Sequence, residues 1–204
     1  MKLTKIAILL TMLALAGCAT SYRLVVPGVN TIGKLQVTAG DSWNSAPASA
    51  TPASRSQSRT WTQDGLLLDR LMLISGVSAG ESIFKSPDQS AALPSFKADM
   101  LPNEIEELVE SSIVKLFGEG NAVVSTENLR PQLFGEHSGF MFDIETTVTE
   151  SPDYRGMVGG FIAEDRLYLM IFLAAQPEYF EKHREEVDAL IKSATTTRPT
   201  IGFH

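Results

Sequence analysis

One pentapeptide of the chain has the residue spacing of a nucleophilic serine site. Gly76-Val77-Ser78-Ala79-Gly80 matches the pattern G-x-S-x-G, which can form a sharp turn from a strand into a helix and expose the serine hydroxyl. A strand is predicted before it, but residues 81–89 contain Pro87 and show no helical stripe. Without that helix, the sequence favours a plain turn with two glycines over a hydrolase that uses Ser78.

The histidines and carboxylates lack the spacing of a metal site. His137 lies between Gly135 and Gly139 and is predicted to be solvated, whereas His183 falls on the apolar face of the last predicted helix. No two histidines stand two or four residues apart, a common spacing of zinc ligands. The glutamates near residue 106 lie on one helix face and lack the alternating loop positions of a calcium site. The sequence therefore predicts no metal ion and no cofactor.

Cys18 is the residue whose position points to a covalent modification. It is the single cysteine of the chain, and it follows Lys2, Lys5 and an apolar run over residues 6–15. This is the layout of a secretory signal, because about ten apolar residues are too few to span a ~30 Å hydrocarbon core as a helix. A secreted chain with one cysteine cannot form an internal disulfide, so the thiol needs another explanation.

Leu15-Ala16-Gly17-Cys18 resembles the lipobox of bacterial lipoproteins at all four positions. The resemblance implies that Cys18 carries a diacylglyceryl group, that residues 1–17 are a cleaved signal peptide, and that acyl chains such as palmitate hold the mature protein on a membrane. Several acyl chains on one residue give stable anchoring. Ala19 stands where an inner-membrane retention signal would have aspartate, which implies the periplasmic face of the outer membrane of a Gram-negative bacterium. The alternative is an ordinary signal peptide that precedes a buried cysteine.

Composition and charge narrow the class of partner. The chain has 204 residues, of which 44 % are hydrophobic, and its formal charge of −7 becomes more negative when Lys2 and Lys5 are removed. This length is enough for one domain with a sizeable core. An acidic surface argues against nucleic acid and against adhesion to anionic lipid. Contact with the membrane is therefore expected through the lipid on Cys18.

The pattern of apolar residues predicts the elements that would position a site. Residues 42–58 are rich in Ala, Ser and Pro and are predicted to be an exposed, mobile loop. A hairpin turn at Asp64-Gly65 leads into a long apolar strand, and helices are predicted to open at Pro102 and at Pro177. Glu164-Asp165 is expected to join the last two strands as a tight hairpin. Strands are predicted over residues 66–75, 122–134, 140–148, 157–163 and 167–174.

Antiparallel hairpins in series with two amphipathic helices predict the α+β class, with a twisted antiparallel sheet packed against helices that include a C-terminal one. The order of these elements, together with stretches such as Arg59–Gly65 and Tyr168–Ile191, resembles the PsbP/Mog1-like fold. The resemblance covers residues 24–194 and implies a single non-catalytic binding or adaptor domain. A lipid tether over 18–23 would precede it, and a tail over 195–204 would follow it.

Three functions remain open after these observations. A lipid-anchored adaptor would bind another envelope protein through the loops at 42–58 and 86–95 and through Trp43 and Trp61, because exposed loops commonly carry recognition. A small-ligand carrier would use a pocket where apolar strands and helices part. A serine hydrolase would use Ser78. The sequence favours the adaptor, and the protein is not expected to be an enzyme.

Overall fold

The computed structural model describes residues 21–51, 55, 57–86, 92–117 and 120–197. The predicted signal peptide, Cys18 and the end of the tail lie outside these residues. Within them, no helix has the length and the apolar character that a membrane span requires.

Two sheets and two long helices make up the described residues. The elements in chain order are β1 (Arg23–Val25), β2 (Gly28–Ile32), β3 (Leu35–Ala39), β4 (Trp43–Ser45), β5 (Ser58–Thr62), β6 (Asp69–Ser78), α1 (Pro102–Phe117), β7 (Ala122–Phe134), β8 (His137–Val148), β9 (Tyr154–Ala163), β10 (Arg166–Ala175), α2 (Glu178–Lys192) and β11 (Thr195–Thr196). Eight of these strands form an antiparallel sheet in the order β1-β4-β5-β6-β10-β9-β8-β7, and the other three form a small sheet in the order β11-β3-β2. This confirms the predicted α+β class.

The large sheet has a hydrophobic layer on each face. On one side, here called the α1 face, α1 lies against β7 and β8; its buried residues recur at helical spacing and are Ile105, Leu108, Val109, Ser112 and Ile113. On the other side, the α2 face, α2 lies against β9 and β10 and also contacts β3 of the small sheet. Residues alternate between the faces along each strand, so Ile171 packs in the α1-face core and Phe172 in the α2-face core.

The hairpin of β9 and β10 lies at the centre, as the sequence predicts. Glu164 and Asp165 both have positive φ, at 50° and 55°, which matches the turn that tight hairpins favour. β10 is paired on both sides, with β6 and with β9. Gly156 of β9 is required by close packing, because a Cβ at this position would collide with the carbonyl oxygen of Phe172.

Some predicted boundaries are wrong. Residues 42–58 are not one exposed loop, because Trp43–Ser45 pairs with β1 and β5, and Ser58 already begins β5. The residue pairs Thr195↔Gln36 and Thr196↔Leu35 join the small sheet, so the folded domain extends past the predicted start of the tail. The turn at Asp64-Gly65 is wider than a two-residue hairpin, since β6 begins only at Asp69.

Candidate functional site

A cavity opens on the α1 face above β5 and β6. Its volume is about 430 Å³, within the range of roughly 300–1,000 Å³ found for small-molecule sites. Only the C-terminal end of α1 reaches its wall. The lining residues are Ala50, Thr51, Ser58, Arg59, Thr60, Leu66, Leu67, Arg70, Met72, Ile74, Phe84, Leu116 and Phe117. We call this feature the Arg70 cavity.

The register of β5 and β6 explains why space remains there. Ser58 pairs with Ile74 and Thr60 pairs with Met72, and directly paired residues point to the same face of a sheet. On this face, the β5 residues Ser58 and Thr60 have short side chains, whereas their β6 partners Ile74 and Met72 have long apolar ones. The short side chains of β5 therefore leave space above the sheet, and the longer side chains of β6 give that space an apolar wall.

Arg70 supplies the cavity with positive charge. Its guanidinium carbon lies 5.2 Å from the centre of the Tyr154 ring, and its Nε is buried without a hydrogen-bond partner. Among the described residues, Arg70 forms no ion pair with a carboxylate. A buried N–H without an acceptor costs about 1–3 kcal/mol, so nearly all such groups in proteins have a partner. The cavity thus offers an unused donor and an unpaired cation.

The edge strand β1 continues the same face of the sheet. Leu24 pairs with Asn44, and Asn44 pairs with Thr62, so Leu24 lies on the α1 face together with Thr60 and Met72. Leu24 is 68 % exposed, and the nearby Tyr22 and Val26 are also exposed. We call Tyr22, Leu24 and Val26 the β1 strip; it is an apolar surface at the point where the chain from Cys18 enters the domain.

Trp43 and Trp61 do not form an interaction surface, which corrects the expectation from the sequence. They are 0 % and 3 % exposed, with ring centres 6.5 Å apart in the α2-face core. The Nε1–H of Trp43 donates to Glu186 Oε1 at 3.2 Å. Both rings are covered because β4 and β5 lie inside the large sheet. Trp43 falls within the loop predicted at 42–58, whereas Trp61 lies beyond it.

Asp64, Asp69 and His183 form the one described group with ligand atoms close enough for a metal, within 4.8 Å of one another. The carboxylate of Asp64, however, already accepts from Lys182 Nζ at 2.7 and 2.8 Å and from His183 Nε2 at 2.6 Å. Asp69 accepts from Thr62 Oγ1 and from two backbone amides of the β5–β6 loop. The ammonium group of Lys182 therefore lies where a metal ion would bind. The three residues form an internal hydrogen-bond network.

His137 is not the solvated turn residue that the sequence predicts. It begins β8, its ring stacks on Phe161 with ring centres 5.1 Å apart, and its Nε2 lies 2.9 Å from Thr196 Oγ1. The contact with Thr196 joins the large sheet to the small sheet. His137 therefore has a structural position between the two sheets.

Ser78 lacks the surroundings of a nucleophile. β6 ends at Ser78, and the next described helix begins only at Pro102. Ser78 Oγ accepts from Arg166 Nη1 at 2.9 Å, and the Ser78 amide donates to Glu81 Oε2 at 3.0 Å; this amide holds the pKa of Glu81 below its usual value. No histidine forms a hydrogen bond with Ser78 in the described ranges, so the serine–histidine pair of a nucleophilic serine site is not formed there. The carboxylate beside Ser78, that of Glu81, is paired with Arg55 at 2.6 Å.

A second cavity of about 460 Å³ lies between α2 and the sheet and is lined by charged residues of both signs. Its charges are largely paired within the protein: Arg130 binds Asp143 at 3.2 Å and Arg184 binds Glu181 at 3.3 Å. This cavity lacks the unpaired cation and the apolar walls of the Arg70 cavity. The Arg70 cavity is therefore the better candidate for a ligand site.

Comparison with known proteins gives the fold. No protein-family model and no curated protein matches the chain. The solution structure of cyanobacterial PsbP (CyanoP) from Synechocystis sp. PCC 6803 is similar, with a TM-score of 0.57 and 9 % sequence identity, over 90 % of this chain and 99 % of that chain. A likeness at this identity concerns the fold alone. The chain thus has the PsbP-like fold that the order of its elements predicts.

Proposed function

We propose that the protein is a lipid-anchored, non-catalytic binding module of the cell envelope that holds a small ligand in the Arg70 cavity. The observation that carries the proposal is the cavity itself, with apolar walls and an unpaired Arg70. Pockets of this kind, mostly apolar with a few polar groups, are the usual form of ligand sites. The PsbP-like fold supports a binding domain of the type that the sequence resemblance implies.

The anchor follows from the lipobox at Cys18 and from the short distance to the domain. Three residues separate Cys18 from Tyr22, so the four steps between them span at most about 14 Å when extended. A domain held by lipid on Cys18 would therefore keep its β1 strip near the membrane surface. The destination is the periplasmic face of the outer membrane, as Ala19 implies.

The second candidate function is the adaptor. The β1 strip favours it, because exposed apolar groups on an edge strand can contact a partner protein of the envelope. Trp43 and Trp61 give it no support, since both are buried. Pull-down with a Leu24→Asp variant separates the two candidates: an adaptor loses its partner, whereas a carrier keeps its ligand.

Native mass spectrometry tests the carrier. A chain that begins at Ala19 retains every described strand and helix, all of which lie between Arg23 and Thr196. Exported in its native host behind an ordinary cleavable signal peptide and purified from the periplasm, it should carry a small adduct that is absent from Met72→Trp, a variant that fills the cavity. A bare mass for the wild-type chain would contradict the proposal.

Membrane fractionation tests the anchor. Cys18→Ser should move the protein from the membrane fraction to the soluble fraction, because no lipid can be attached to serine by the same thioether chemistry. The intact mass of the membrane-extracted wild type should correspond to acyl chains on a chain that begins at Cys18. A mass without lipid would contradict the proposed anchor. It would not affect the proposal that the Arg70 cavity binds a ligand, which is tested separately.

A further inference from the structure

We infer that the ligand of the Arg70 cavity is an anionic amphiphile with a single acyl chain, held with its head group at Arg70. This inference rests on the proposed function, because it names the chemical class of the ligand that the carrier would hold. The structural relationship behind it is the buried Nε of Arg70, which has no hydrogen-bond partner, in the lining of a mostly apolar cavity.

The walls of the cavity select an apolar body. Ile74 and Phe84 are buried and Met72 is half-buried, and all three contribute to the α1-face core as well as to the cavity. Leu116 and Phe117 close the cavity at the end of α1. A flexible hydrocarbon chain would remove these side chains from water at a gain proportional to the area covered. A polar ligand such as a sugar would place hydroxyl groups against these five side chains, which offer them no hydrogen-bond partner.

Arg70 selects the charge of the head group. The guanidinium is planar and permanently charged, and its forked donors match the two oxygens of a carboxylate or a phosphate. The Tyr154 ring holds it on one side, and its buried Nε has no acceptor in the protein. The formal charge of the whole chain is −7, so this cation is not part of a general basic surface. An anionic head group is the ligand chemistry that pairs with it.

The position of the cavity suits a ligand that comes from a membrane. The β1 strip and the cavity share the α1 face, and β1 lies three strands from β6, or about 14 Å. Leu67 on the cavity wall is 75 % exposed and extends the apolar surface outside. The cavity would therefore lie close to the lipid surface that holds Cys18, with the polar Asn44 and Thr62 on the strands between it and the β1 strip.

Displacement of a fluorescent fatty acid tests the inference. The chain from Ala19 is delipidated and loaded with cis-parinarate, and the competitors are palmitate, hexadecyl phosphate and hexadecanol. The variants are Arg70→Met, Arg70→Lys and Met72→Trp. Arg184→Met is the matched control, since it removes the same charge from the exposed surface of α2. Circular dichroism and thermal unfolding check that each variant is folded.

We expect palmitate or hexadecyl phosphate to bind, as measured by displacement of the probe, with an affinity at least about 10-fold higher than that of hexadecanol. The alcohol cannot form the charge-assisted hydrogen bond with Arg70. The stronger of the two anions identifies the head group as carboxylate or phosphate. Arg70→Met should weaken binding of that anion by about 10- to 100-fold. Arg70→Lys should recover part of the affinity, Arg184→Met should bind as the wild type does, and Met72→Trp should not bind.

Three results would overturn the inference. Equal displacement by the acids and by hexadecanol, or unchanged affinity in Arg70→Met, would mean that Arg70 does not read the head group. Failure of every amphiphile to bind, while native mass spectrometry still finds an adduct that Met72→Trp removes, would make the ligand class wrong and leave the carrier function standing. Failure of both measurements would remove the carrier function itself.

Discussion

His183 Nε2 and a carboxylate oxygen of Asp64 lie 2.6 Å apart, although 119 positions separate the two residues in the sequence. The contact joins the β5–β6 loop to α2. His183 is 3 % exposed, and an ionised carboxylate can only accept, so the imidazole donates through Nε2. The contact therefore gives the buried imidazole of His183 a hydrogen-bond acceptor at the edge of the α2-face core. It also holds the β5–β6 loop, which leads into the strand that contains Arg70.

Removal of the Asp64 carboxylate should destabilise the fold. Asp64→Ala leaves the buried Nε2 of His183 without its acceptor, which should lower the free energy of unfolding by about 1.5–3 kcal/mol. Asp188→Ala is the matched control, because Asp188 pairs with Lys192 on the exposed side of α2 and its loss should cost about 0.5 kcal/mol or less. Urea unfolding of both variants measures the difference, and equal losses would contradict the structural importance of the Asp64–His183 contact.

The stability due to Asp64 should depend on pH. Burial acts to raise its pKa, but hydrogen bonds from Lys182 and His183 and their charges outweigh burial and hold the pKa below its ordinary value of 3.8. A carboxyl group with a lower pKa in the folded state contributes stability that is complete above the unfolded value and lost as the pH falls through the folded value. The penalty of Asp64→Ala should therefore be full at about pH 5 and shrink below about pH 3.8. An undiminished penalty at about pH 2 would contradict this.

The long elements were predictable because their signals are local. Pro102 and Pro177 mark the starts of both helices, and the apolar stripes that follow them give the buried faces. The Glu164-Asp165 turn fixed the register of β9 and β10 through the backbone conformation that such a turn needs. Each of these features depends on residues that are close together in the sequence, so the sequence alone is enough to predict it.

The candidate site was not predictable in the same way. β4 has three residues in a stretch rich in Ala, Ser and Pro, and only pairing with β1 and β5 makes it a strand. Asp69 and Arg70 are the two charged residues inside the predicted strand 66–75, and a charge in such an apolar strand is the sequence signal that could indicate this site. The cavity around Arg70 depends on the position of the C-terminal end of α1. That position is set by contacts between segments that are distant in the sequence, so the sequence pattern does not predict it.

Gly156 should tolerate no side chain. A Cβ there would collide with the Phe172 carbonyl oxygen in the neighbouring strand, and backbone cannot move aside as a flexible side chain can. Gly156→Ala should lower the free energy of unfolding by about 3 kcal/mol or more. Gly40→Ala is the control, since the nearest atom to its Cβ, Glu186 Cγ, is 3.8 Å away. Similar denaturation midpoints for the two variants would show that β9 and β10 are not packed as described.

The two tryptophans should be protected from aqueous quenchers. Trp43 and Trp61 are buried in the α2-face core, so iodide should quench the native emission weakly and should quench it strongly in urea. Tyr22→Trp adds an indole at a position that is 46 % exposed and should introduce a readily quenched component. Strong quenching of the native wild type would contradict the burial of Trp43 and Trp61 and would favour the exposed surface that the sequence predicted for them.

The most direct measurement of ligand binding at the Arg70 cavity is a methionine-methyl NMR titration of the chain from Ala19 with palmitate. Met72 lines the cavity, whereas Met141, Met157 and Met170 lie in the core on the opposite face of the sheet. We predict a large shift of the Met72 methyl resonance that saturates with palmitate, with the three α2-face methyl groups almost unmoved. An unmoved Met72 resonance, or equal shifts of all four, would contradict binding in the Arg70 cavity.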